Sequence, residues 1–309
     1  MSYRPVVPLL FTQLAVAMAG VTAATAAAQN APLEVIIVTP VPGQGLERQR
    51  LAANLQTATA ADLQRSHAAD LASFMTRRLG SVYVNEIQNN PFQPDVNFRG
   101  FTASPLLGTA QGLSVYLDGV RLNQPFGDVV SWDLIPRSAI AGLTLVPGSN
   151  PLFGLNTLGG ALNVRTKDGR SNAGTSLQAL HGQFGRRAVE IEHGGNRDDG
   201  LHWFVTGNRF TEKGWRVDSP SDIRQLYAKV GLAREEGGFN AAVAWADNDL
   251  YGNGLQESRL LSADYRSVYT KPDFTANRGV LFNVDGSCGS VQGGVWLATA
   301  GSVASTRPP

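Results

Sequence analysis

The chain has 309 residues, a formal net charge of +1, 17% charged residues and 34 glycines. So balanced a charge supplies no basic face for a nucleic-acid backbone, and a single cysteine, Cys288, excludes an internal disulfide or a CxxC metal or redox site. The histidines His67, His181, His193 and His202 stand at no ligand spacing, and no P-loop, HExxH or nucleophile elbow is present, so nothing points to an enzyme, a cofactor or a metal.

Met1 to Arg4 carries one positive charge, Leu9 to Val21 is apolar apart from Thr12, Gln13 and Gly20, and Ala26-Ala27-Ala28 precedes Gln29. This order predicts a secretory signal peptide over 1–28, cleaved after Ala28. Its apolar run is shorter than the roughly 18 residues of a spanning helix. No later stretch qualifies either, so a mature chain placed in a membrane must cross it as a β-barrel.

Residues 29–50 form a linker with one β-prone strip, Leu33 to Thr39, closed by Pro40, Pro42, Gly43 and Gly45. Such a strip can add itself to the sheet edge of a partner, or serve as an ordinary first strand. A dinucleotide-binding turn is excluded, because Arg48 stands where the motif needs its third glycine.

Residues 51–168 are expected to form a compact α+β domain. Leu63, His67, Leu71, Phe74 and Met75 share one face of a helix over 60–78, with Gly80 at its C-terminal cap. Strands are expected at 82–84, 96–101, 114–120, 143–146 and 161–166, with a hairpin turn at Asp118-Gly119. From 169 to 285, segments of about ten residues alternate with a period of two. Leu226, Ala228, Val230 and Leu232 alternate with Gln225, Tyr227, Lys229 and Gly231. Phe239, Ala241, Val243 and Trp245 alternate with Asn240, Ala242, Ala244 and Ala246. Five strands are clear and a sixth lies near 277–285. The gaps at 195–200 and 235–236 are short and those at 211–222 and 248–276 long, but the first, at 184–185, is also short although it falls on the side of the long ones. Short turns on one side and longer loops on the other suit an outer-membrane barrel; a soluble antiparallel sandwich has the same alternation. Residues 286–309 carry no strand period and are expected to be an off-pattern tail.

The motifs together resemble the TonB-dependent receptors of Gram-negative outer membranes. Glu34-Val35-Ile36-Ile37-Val38-Thr39 resembles the TonB box. Asn97-Phe98-Arg99-Gly100-Phe101 and Val115 to Val120, with Asp118 and Gly119, resemble two core motifs of the plug domain. The segment Asp133 to Thr166 resembles its C-terminal signature through Gly148, Gly154, Gly159 and Gly160. Two departures stand out: Pro147 precedes Gly148 where the family usually has an arginine, and the chain lacks the family's aromatic C-terminal residue.

The resemblance implies an α+β plug followed by antiparallel strands of an incomplete transmembrane β-barrel, here as a truncated product without transport activity. It implies energy-coupled uptake of a scarce ligand such as a ferric siderophore across the outer membrane, with TonB and its inner-membrane motor as partners. The alternative is a periplasmic or surface β-domain that binds without transporting. Arg99 is expected to bridge plug to wall carboxylates, with Glu190 and Glu192 as candidate partners and a surface arginine in a turn as the competing expectation. Phe92, Gln93, Phe126 and Trp132 are candidate ligand contacts, with burial in the plug core the competing expectation for the aromatic ones.

Overall fold

The computed structural model describes residues 36–37, 46–47, 53–68, 70–85, 91–149, 153–252, 256–271, 274–289 and 295–306. The predicted signal peptide, most of the TonB-box strip and most of the linker lie outside the described residues. Of that strip, Ile36–Ile37 (β1) pairs antiparallel with Leu46–Glu47 (β2).

The plug begins with β3 (Gln56–Thr59), α1 (Ala60–Arg65) and α2 (Leu71–Arg78). Thr59 caps α1 in a reciprocal box: its hydroxyl accepts from the Asp62 N–H, and the Asp62 carboxylate accepts from the Thr59 N–H. The single helix expected over 60–78 is therefore two. Ser66 turns its hydroxyl back onto the Leu63 carbonyl, His67 takes a φ of 48°, and Asp70 opens a new helix by accepting from the Ser73 N–H at 2.7 Å. Leu63, Leu71, Phe74 and Met75 are buried on either side of the break, so periodicity alone did not reveal it, but His67, expected on the same face, is exposed. Nor does Gly80 cap the helix: Leu79 does so in extended backbone, and the left-handed residue beyond it is Ser81 (φ 59°).

β4 (Val82–Asn85), β5 (Asp95–Phe98) and β6 (Phe101–Ala103) form a small antiparallel sheet. The expected strand over 96–101 is thus a hairpin, turning at Arg99 (φ 53°) and Gly100 (φ 89°), and the Asn97 Oδ1 accepts from the Gly100 N–H. A five-stranded sheet follows. β7 (Leu113–Leu117) and β8 (Val120–Arg121) turn at Asp118-Gly119 as expected, and β9 (Ile140–Pro147) and β10 (Gly160–Thr166) complete it in the order β3-β9-β10-β7-β8. Phe74, Met75, Phe98, Leu134, Ile140 and Leu143 are fully buried between these layers. Each such side chain contributes on the order of 1.5–3 kcal/mol.

The rest is one antiparallel sheet in sequence order: β11 (Gly174–His181), β12 (Arg187–Asn196), β13 (Leu201–Glu212), β14 (Ser221–Arg234), β15 (Gly237–Tyr251), β16 (Phe274–Gly289) and β17 (Val295–Thr306). Turns 197–200 and 235–236 lie at one end, and the longer 213–220 and 252–273 at the other, together with the short 182–186 connection. The last connection carries α3 (Ser258–Ala263). Residues 286–309 are not a structureless tail: β16 runs on to Gly289, and β17 pairs with it from Arg278↔Thr306 to Gly289↔Val295. Ladder pairing uses the backbone, so a run of Ala, Gly, Ser and Thr pairs without any alternation of hydrophobicity. Among the described residues β11 and β17 each pair on one side only, so the sheet is open.

A tight joint links plug to wall. Gly169 leaves no room for a side chain: a Cβ there meets the Gly195 carbonyl oxygen at 2.0 Å and the Trp203 oxygen at 2.3 Å. Asn196 donates to the Gly169 carbonyl at 3.1 Å. Gly169→Ala is therefore expected to destabilise the chain by about 1–3 kcal/mol through forced backbone displacement, checked by a urea titration in detergent.

Candidate functional site

The wall sheet is inverted relative to a water-soluble sheet. Along β14 the buried positions include Ser221, Ile223, Gln225, Tyr227 and Lys229, whereas Leu226 and Val230 are each 44% exposed. On β12 the buried side chains are Glu190 and Glu192, and Val189 and Ile191 face out. Across the strands, Ile191, Leu226, Trp245 and Val280 fall in one outward row, and Trp203, Val230, Ala241 and Val284 in another. A row of charges, Arg209, Arg224, Asp247 and Arg278, borders this apolar band, with Arg278 on Asp247 at 3.0 Å within it and Arg209 on Asp222 outside it at 2.8 Å. In water such a band is an exposed apolar patch; in lipid it is the favoured face.

The inward face is mixed: Phe204, Phe210, Ile223, Leu250 and Leu281 are buried there, and beside them polar side chains meet the plug through ion pairs and hydrogen bonds. Arg137, in the short turn before β9, forks onto Glu190 at 2.6 and 3.3 Å. Lys167, just past β10, meets Glu192 at 2.5 Å and lies 5.7 Å from the centre of the Phe204 ring. Asp118, in the β7–β8 turn, takes Lys229 at 2.8 Å and two bonds from Thr166, whose hydroxyl also touches the Tyr227 hydroxyl at 2.6 Å. Burial pushes the Asp118 carboxyl up, but the Lys229 ammonium and the Thr166 donors outweigh this and hold it below the usual carboxylate range. Ser138 accepts from Thr206 at 2.7 Å.

Asp133 is the exception among these anchors. It is 3% exposed, accepts from Asn248 at 2.6 Å and Asn277 at 2.5 Å, and its backbone carbonyl accepts from Gln225. Burial without a cation raises its pKa to about 6, against the lowering effect of these amide donors.

The expected role of Arg99 is not met. Its side chain is exposed in the β5–β6 turn, 5.0 Å from the centre of the Phe98 ring, while Glu190 and Glu192 are held by Arg137 and Lys167. An exposed hairpin tip cannot reach the carboxylates; Lys167 stands with Thr166 at the end of the segment that resembles the C-terminal signature, but no motif marks it or Arg137 as a partner of Glu190 or Glu192. Gly148 (φ 91°), Gly154 (φ 76°), Gly159 and Gly160 (φ 147°) lie in the 148–160 connection between β9 and β10. Gly160 is required there, since a Cβ would stand 2.4 Å from the Val146 oxygen.

Of the four candidate ligand contacts, Trp132 is core, donating its indole N–H to the Ala103 carbonyl. Phe92 packs edge-on against Phe210 of the wall at 5.0 Å, and Gln93 is half-buried. Only Phe126 is freely exposed, at 77%, in the 123–131 loop. That loop is tied to the 148–160 connection by Asp128, which holds both Arg121 and Asn156. The 148–160 connection stands at the opposite end of β10 from the joint. On the wall, connections 213–220 and 252–273 are tied by a Trp215–Tyr265 stack at 6.0 Å and by the Val217 N–H donating to the Arg266 carbonyl. Among the described residues no group of three or more His, Cys, Asp or Glu is arranged to hold a metal, and no helix is long and apolar enough to cross a membrane.

Residues 47–161 match the family model of the TonB-dependent Receptor Plug Domain. The fold is similar to that of the ferric citrate transporter FecA in its unliganded form (TM-score 0.67, 16% identity, 82% of this chain and 40% of that one). It is also similar to the siderophore receptor PiuA from Acinetobacter baumannii (TM-score 0.64, 12% identity, 82% and 36%). A third likeness is to the ferric yersiniabactin uptake receptor FyuA from Yersinia pestis (TM-score 0.58, 13% identity, 83% and 42%). The chain spans about two fifths of the length of these structures.

Proposed function

We infer, for a chain that carries a TonB-dependent receptor plug domain and antiparallel strands of the wall around it, a part in energy-coupled uptake of a bulky ferric chelate across the outer membrane. The observation that carries this is the inverted sheet: apolar Leu226, Val230 and Phe282 turned outward, and Glu190, Glu192, Gln225 and Lys229 turned onto the plug. A soluble sandwich buries the opposite face. The ligands of FecA and FyuA, ferric citrate and ferric yersiniabactin, support a ferric siderophore as the ligand class.

In this scheme an external ligand meets the Phe126 end of the plug. The strip 34–39 pairs as an added strand with TonB, which pulls on the plug from the periplasm. The ion pairs at Glu190, Glu192 and Asp118 resist that pull and hold the plug until it is applied. Transport belongs to the closed receptor, since an open sheet edge in lipid leaves backbone groups unpaired. Deleting residues 34–39 from a receptor carrying this plug is expected to abolish ligand uptake while leaving ligand binding at the cell surface intact. Uptake that survives the deletion overturns TonB coupling.

A further inference from the structure

Three plug-to-wall anchors among the described residues pair a buried acid with a base: Arg137 with Glu190, Lys167 with Glu192, Lys229 with Asp118. Asp133 is built differently. Its carboxylate is enclosed at 3% exposure, and three consecutive wall strands converge on the residue, Gln225 from β14, Asn248 from β15 and Asn277 from β16. All three wall donors are neutral amides. A buried carboxylate met only by neutral donors carries an uncompensated charge.

The charged and titratable groups around it are engaged elsewhere or face away. On β14, Tyr227 and Lys229 share the inner face but bind Thr166 and Asp118, while Arg224 points outward. On β15, Asp247 and Asp249 lie on the outward face, and Asp247 is paired with Arg278 of β16. Further along β16, Asp285 is held by Asn240. On the plug, Arg137 is committed to Glu190.

A second feature completes the site. The Asn248 Oδ1 is buried and has no hydrogen-bond partner among the described residues, while its Nδ2 lies 2.6 Å from the Asp133 Oδ2. Turning that amide over places Oδ1 where Nδ2 now stands, in reach of a proton on Asp133.

We propose that Asp133, Asn248 and Asn277 form a proton-binding latch between plug and wall, which tightens when Asp133 takes up a proton. In the charged state the carboxylate accepts from the two amides. Both amides meet the same oxygen, Oδ2. In the neutral state that oxygen carries the proton: its O–H donates to the turned Asn248 carbonyl oxygen, and it still accepts from Asn277. The buried charge is removed with one proton taken from solvent: the Asn248 N–H···Oδ2 hydrogen bond is exchanged for an O–H···Oδ1 bond, and Nδ2 moves to the place that Oδ1 held. The sign follows from linkage. The folded pKa of about 6 lies above the unfolded carboxyl value of 3.8, so the favourable contribution is fully present below pH 3.8 and is lost as pH rises through 6. The latch rests on geometry at the plug–wall boundary and stands whether or not the chain takes part in transport.

The test is hydrogen exchange on the full chain folded in detergent, read at the backbone amides of residues 130–135 and corrected for the intrinsic pH dependence of exchange. Protection is expected to fall about tenfold or more between roughly pH 5 and pH 7.5, tenfold being one pKa unit of linkage. Asp133→Asn, which keeps the shape and supplies a permanent donor, should flatten the profile. A flat wild-type profile, or an unchanged slope in Asp133→Asn, overturns the latch. A further measurement does not depend on that variant folding. Infrared difference spectra between the two pH values, on chain carrying labelled aspartate, should contain a buried protonated-carboxyl band whose frequency moves in Asn248→Ala. A band that is absent, or that does not move in Asn248→Ala, overturns the proposal equally.

Discussion

Lys229→Ala is expected to destabilise the chain by about 3–5 kcal/mol, the usual cost of leaving one member of a buried ion pair without the other. Lys229 is 8% exposed and meets the Asp118 carboxylate at 2.8 Å, where Thr166 and Tyr227 close the remaining sides. Removing the ammonium leaves Asp118 enclosed with hydroxyl and backbone donors alone. Because Asp118 titrates below its ordinary range, its contribution is present above the unfolded pKa of 3.8 and is lost as pH falls through the lower folded value. The penalty of Lys229→Ala should therefore be largest near neutral pH and shrink in acid. A companion double variant, Asp118→Asn with Lys229→Met, removes both charges and should recover most of the loss. Urea titrations in detergent at neutral and acid pH check all three statements. A loss below about 1 kcal/mol for Lys229→Ala would place this pair with weak surface bridges.

Val230→Arg is expected to cost about 2–4 kcal/mol when the chain is folded in lipid vesicles, and close to nothing in water. Val230 is 44% exposed and sits in register with Trp203 and Ala241 on the outward band. An arginine there, away from the charged row at Arg224 and Asp247, has to carry its guanidinium out of the hydrocarbon. The matched control is Arg224→Lys at the border, expected within about 0.5 kcal/mol of wild type. Vesicle-reconstituted urea titrations give the comparison. If Val230→Arg is as stable as wild type in vesicles, the outward band does not contact lipid, and the inference from the inverted sheet fails.

These two predictions draw on different levels of information. The outward band is legible in the residue pattern: Leu226, Ala228, Val230 and Leu232 alternate with Gln225, Tyr227, Lys229 and Gly231, and strand pleating alone puts the two sets on opposite faces. Which face meets the protein and which meets its surroundings is not legible there, because a sandwich gives the same alternation. Packing decides it by burying the polar set against the plug.

The pairing of charges was least legible. Arg99 carried the motif, but φ values of 53° and 89° at Arg99 and Gly100 make the pair a hairpin tip, out of reach of Glu190 and Glu192. Arg137 and Lys167 reach these carboxylates because a short turn and the end of β10 bring them against β12. The helix break at Ser66 and His67 was hidden because the apolar period ran through it, and β17 because backbone pairing asks for no period.

The sequence by itself determined the order of parts: an α+β domain, the Asp118-Gly119 hairpin, and the dyad strands with short and long connections. Each of these is set by residues within a turn or two of one another, through pleating, capping and turn chemistry. Only the tertiary structure decided that Glu190, Glu192, Gln225 and Lys229 turn inward, that Arg137, Lys167 and Lys229 are the cations on Glu190, Glu192 and Asp118, and that Asp133 is held by amides alone. Those partners stand 25 to 144 residues apart, and nothing in a local pattern records which side chains a distant strand will bring within 3 Å.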